Sequence, residues 1–102
     1  MNFCQIIYEN LRKATLEEKR ERSIKLLNEV LNEKYTHLLK LREKFNTSVD
    51  DDYRLKLKQE LIHIFRQIMI IEKQIELYQE CDSMMDYKIL KSFTEQQRQC
   101  ET

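Results

Sequence analysis

Between residues 57 and 78 large apolar side chains recur at alternating steps of four and three: Leu57, Leu61, Ile64, Ile68, Ile71, Ile75 and Tyr78. That is the period of an α-helix laying one seam against a neighbouring helix. A looser series precedes it, made of Ile24, Leu27, Leu31, Leu38, Leu41 and Phe45, with Lys34 interrupting. The two series predict long helices over about 16–45 and 51–81. Asn46-Thr47-Ser48-Val49-Asp50-Asp51-Asp52 separates them, with a loop placed at 46–50. Asn46 suits the left-handed position that ends a helix, and the three Asp suit the positive N-terminus of the next. So short a loop makes the pair an antiparallel hairpin, each arm about 45 Å long at 1.5 Å per residue.

Polar punctuation marks two further elements. Thr15-Leu16-Glu17-Glu18 has the form of a capping box, which predicts a helix start near 16 and a separate short helix over about 2–14. Phe3, Ile7, Leu11 and Ala14 give that short helix a narrow apolar stripe. Thr15 is only a mild obstacle, so these residues also have the option of continuing the first long helix. Asp82-Ser83 followed by Asp86 is a weaker cap, predicting either a kink or a fourth helix over about 84–98. From Gln96 on, the composition is polar enough to fray. The expected fold is all-α: a single domain, 1–102, in which a long-helix hairpin carries one or two short accessory helices. It reads as a three- or four-helix bundle or a coiled-coil-like pair, open to completion by oligomerisation.

The flank of the main row sharpens this picture. Ile62, Phe65 and Met69 widen the apolar arc of the second long helix to ~200°, against the ~100° stripe of an ordinary surface helix. Leu26, Val30, Tyr35 and Leu39 widen the first in the same way. One partner helix covers only part of such an arc. Isoleucine at both alternating core positions also leans toward three or four strands rather than two. A second contact face is therefore expected at Ile62, Phe65 and Met69. A smaller docking stripe is expected at Met85, Ile89 and Phe93, in a Met-containing segment suited to adaptable surfaces.

Composition narrows the function classes. The 102 residues contain no Gly and no Pro. Phosphate loops, dinucleotide fingerprints and nucleophile elbows all need glycine, so those enzyme classes are excluded. Lys and Arg number 18 and Asp and Glu 18, so no net field points to nucleic acid, a membrane or a charged small-molecule substrate. The charge is divided, with 10 basic and 7 acidic residues in 1–49 and 8 and 11 in 50–102. Cys4, Cys81 and Cys100 are odd in number and widely spaced, which fits neither a disulfide framework nor a zinc motif and suits a reducing compartment. The first residues lack the form of a signal peptide, and the longest apolar run, Ile68-Met69-Ile70-Ile71, is too short for a bilayer. A soluble intracellular protein, cytoplasmic or nuclear, is the expectation.

Two constellations carry chemistry of another kind. Glu60-Leu61-Ile62-His63 has the Glu-x-x-His spacing of di-iron helical bundles, and antiparallel pairing brings His37 and Glu33 toward it. Leu61 and Ile64 hold the inward face there, so the pattern argues for solvated side chains rather than a metal centre. Arg12, Lys13, Lys19, Arg20, Arg22 and Lys25 form the most basic stretch, but Glu17, Glu18 and Glu21 interleave with them, as in helix-surface ion pairs. No catalytic, metal or cofactor residue is assigned. The expected function is a non-enzymatic protein–protein interaction module, an adaptor, subunit or regulator that packs helix on helix with a protein partner or a second copy. The alternatives are a metal- or thiol-dependent bundle enzyme and a small nucleic-acid-binding regulator using residues 12–25.

Overall fold

In a computed structural model the backbone is described for residues 2–101 and the side chains for residues 2–7 and 15–96. Among the described residues there are three helices and no strand: α1 (Phe3–Thr47), α2 (Asp51–Glu80) and α3 (Met84–Glu101). The expected all-α hairpin with an accessory helix is what the chain forms. Two boundaries are corrected, the break at Thr15 and the start of the loop, which lies after Thr47 rather than at Asn46. No break occurs at Thr15, and α1 continues through it from Asn2, whose side-chain oxygen accepts the amide of Cys4 at 3.4 Å. A capping box starts a helix only where the preceding residues leave helical geometry. Nothing in a stretch without Gly or Pro makes them do so.

The remaining termini show how helices end without glycine. No described residue has a positive φ, so Asn46 does not take the left-handed position and stays inside α1. Thr47 turns its hydroxyl back onto the carbonyls of Glu43, at 3.0 Å, and Lys44, at 3.3 Å, and the Lys44 carbonyl also accepts the Ser48 amide at 3.0 Å. Asp50 caps α2, accepting the amide of Asp52 at 3.2 Å on its carboxylate and that of Arg54 at 2.9 Å on its carbonyl. At the far end of α2 the amide of Cys81 bonds back to Tyr78, and the guanidinium of Arg20 donates to the Cys81 carbonyl. Ser83 then caps α3, its hydroxyl oxygen accepting the Asp86 amide at 3.1 Å and its carbonyl the Tyr87 amide at 3.0 Å. This is a true helix start rather than a kink. Past Gln96 the helical backbone continues to Glu101, in keeping with the helix-forming Gln, Arg and Glu there.

The chain divides into two compact units, Leu27–Lys73 and a second that gathers Met1–Leu26 with Gln74–Thr102. In the first, Leu41 of α1 and Leu57, Ile64 and Ile68 of α2 form a buried cluster, flanked by Leu31, Leu38, Phe45 and Leu61. Tyr35 opposite Glu72, and Phe45 under the guanidinium of Arg54 at 4.5 Å, fix the antiparallel register. Lys34, the expected interruption, is half-buried in the row.

The other unit closes around Tyr78, which is 2% exposed. Its ring lies 5.8 Å from that of Tyr87 at a 56° tilt, within the range of edge-on aromatic pairs. Thr94 spends its one hydroxyl proton on the Leu90 carbonyl at 3.0 Å, so Tyr78 is the donor in their 3.3 Å bond. Ser23 and Tyr87 pair their hydroxyls at 3.0 Å. Each buried polar group on this small core has a partner.

Candidate interaction surface

Helix α2 carries two apolar rows with the same spacing. The first, from Leu57 to Tyr78, is the buried one: six of its seven members are buried and Leu61 is half-buried. The second is displaced round the helix and runs Leu55, Ile62, Phe65, Met69, with Lys58 at one end of its apolar centre and Glu72 at the other. Every apolar member of it is exposed, Phe65 by 53% and Met69 by 68%.

The hairpin brings residues of α1 to the same side. In an antiparallel pair the positions flanking one edge of the seam meet their equivalents on the partner helix. The Tyr35 hydroxyl donates to the Glu72 carboxylate, so the two edges facing each other are those that hold Tyr35 and Glu72. Phe65 lies one heptad before Glu72 on that edge. Leu39, one turn beyond Tyr35 on the same side of α1, is 62% exposed. Tyr35, Leu39, Ile62, Phe65 and Met69 are thus exposed on the same side of the Leu27–Lys73 unit, where Arg42, one heptad after Tyr35, is exposed as well. The opposite edge carries His37, Lys44, Glu60 and Gln67, with Lys40, Lys56 and His63 beside them and Tyr53 and Ile70 as exposed apolar exceptions. The hydrogen bond also raises the Tyr35 phenol above its ordinary value, chiefly because a proton shared with a carboxylate is harder to remove.

The second expected stripe lies on the other unit. α3 turns Tyr87, Leu90 and Thr94 inward and Met85, Ile89 and Phe93 outward, Met85 being 73% exposed. Ile89 and Phe93 line a shallow depression of about 320 Å³ with Leu77, Glu80, Cys81, Asp86 and Leu90. α3 therefore does both things open to it, packing through one face and presenting the other. Phe3 and Ile7 are exposed, while Leu11 and Ala14 lie outside the described side chains, as do Arg12, Lys13 and Cys100.

The alternative chemistries find less to stand on. Glu33, His37, Glu60 and His63 are all exposed, and among the described residues no three His, Cys, Asp or Glu side chains gather where they could hold a metal ion. Cys4 is exposed, and Cys81 is buried with its thiol on the Ser83 carbonyl at 3.4 Å. In the basic stretch Arg20 is half-buried and committed to the Cys81 carbonyl, while Lys19, Arg22 and Lys25 are exposed among Glu17, Glu18 and Glu21. No helix in the described residues is long and apolar enough to cross a membrane.

Sequence reasoning placed Ile62, Phe65 and Met69 on this face but left Tyr35 and Leu39 as a mere widening of α1. The missing signal was edge pairing. Once the register is known, the heptad position of Tyr35 and Leu39 assigns them to the same side as Phe65.

The fold and its surface define a class, an all-α helical hairpin protein with one accessory helix and an open apolar flank. Compared with protein-family models, curated proteins and solved structures, the chain matches none.

Proposed function

We propose that this chain is a non-enzymatic interaction module, acting as an adaptor, subunit or regulator by packing its open hairpin face against another helical surface. The observation that supports this reading is the second row of α2. Apolar exposure on a monomer is normally scattered, and its largest patch, typically about 300–600 Å², is often a functional one. Here a repeat with helix-packing spacing stays exposed although the seam beside it is already filled. A helix face of that spacing fits a helical partner better than a flat or strand-like one. Met85, Ile89 and Phe93 make a smaller second face of the same character.

The test is the native size of the protein in an extract of the cells that produce it. Wild type is expected to run in a complex larger than one chain, and Phe65→Glu with Met69→Glu to run as a single chain with unchanged helix content. Wild type running as a single chain at its cellular concentration would reject the interaction reading.

A further inference from the structure

Resting on that reading, we infer that the occupant of the open hairpin face is a second copy of this chain, docked antiparallel about a two-fold axis at Phe65. Three observations converge on it. The exposed row has apolar residues at its centre and opposite charges at its two ends, Lys58 and Glu72, each seven residues from Phe65. A two-fold axis at the centre brings Lys58 of one copy to the level of Glu72 of the other, twice per dimer, whereas parallel docking sets like against like. A self-complementary patch of this kind is what an isologous interface requires.

The row also repeats the spacing of the internal seam, so two copies would interdigitate as the two arms already do, completing a four-helix arrangement. The area is sufficient as well. Five large side chains about half exposed offer on the order of 500 Å² per copy. With Leu55 and the charged rim, a symmetric pair that covered all of it would bury at most about 1,200 Å², the lower edge of stable interfaces. Tyr35 and Glu72 are hydrogen-bonded to each other within one chain, which holds the glutamate at the edge of the face with oxygen capacity to spare.

The experiment is sedimentation of the purified chain, alone and in mixtures. Wild type is expected to be a dimer that Phe65→Glu converts to a folded monomer. Lys58→Glu and Glu72→Lys each repel their own copies and are expected to weaken the dimer about tenfold. Mixed together, the two variants are complementary at both ends, so a heterodimer forms at near wild-type strength. Tyr35→Phe, which removes the internal bond and keeps the charges, should leave the mass unchanged. Three results would overturn the inference: a wild-type monomer at every concentration, a dimer indifferent to Phe65→Glu, or single variants that fail to recover on mixing. A wild-type monomer that still runs in a larger complex in extracts rejects self-pairing and leaves the interaction module standing. A monomer in both settings rejects the two together.

Discussion

Tyr35 is the residue where fold and surface meet. Its hydroxyl donates to Glu72, and the bond holds the phenol above its ordinary value of 10.0. A group whose value is raised on folding holds its proton more tightly in the folded chain. The stability it contributes is complete below the ordinary value and disappears as pH rises through the folded one. Site-resolved NMR of the tyrosine rings should therefore show Tyr35 ionising at higher pH in wild type than in Glu72→Ala. Coincident titrations in the two proteins would mean that the bond does not form in solution. The exposed position of this pair makes its contribution to stability small, since water and salt screen it.

At the scale of elements, α2 sets neighbouring residues to opposite tasks. Ile68 is buried in the seam and Met69 stands 68% exposed beside it. Ile68→Ala should cost about 2–5 kcal/mol of unfolding free energy. Met69→Ala should stay within about 0.5 kcal/mol when measured at a dilution where chains do not associate. Equal losses measured by urea denaturation would place both residues in one core.

The caps give a second test. Ser83→Ala should cost about 1 kcal/mol, because the hydroxyl serves the Asp86 amide at the start of α3. If the denaturation midpoint stays put, α3 is not held in this way.

These elements also show what the sequence reveals and where it misleads. The buried row was legible residue by residue, because its period allows only one helix face. The start of α2 was legible because Asp50 precedes a run with no competing signal. The break expected at Thr15 and the left-handed turn at Asn46 were misread for one reason. Both residues permit a non-helical geometry without enforcing it, and a chain that keeps its helix keeps its backbone hydrogen bonds. Arg20 was misplaced in turn. As part of a charge run it resembled a surface residue, and only the end of α2 shows that it serves a carbonyl.

The whole molecule has spent its strongest apolar row internally and kept a second of the same kind in water. That division is costly for a chain with no further use for the surface, which is why the open row, rather than any titratable cluster, carries the functional reading. The cationic residues are interleaved with acids, and the two histidines stand on the edge away from the apolar face.

If self-pairing is the use of that face, stability must depend on mass action, because a dimer that dissociates on unfolding is stabilised by its own concentration. The most direct measurement is the thermal unfolding midpoint over a hundredfold range of chain concentration, for wild type and Phe65→Glu in parallel. The midpoint is expected to climb with concentration in wild type and to stay flat in Phe65→Glu. A flat wild-type midpoint, or an equal climb in both proteins, would contradict self-pairing.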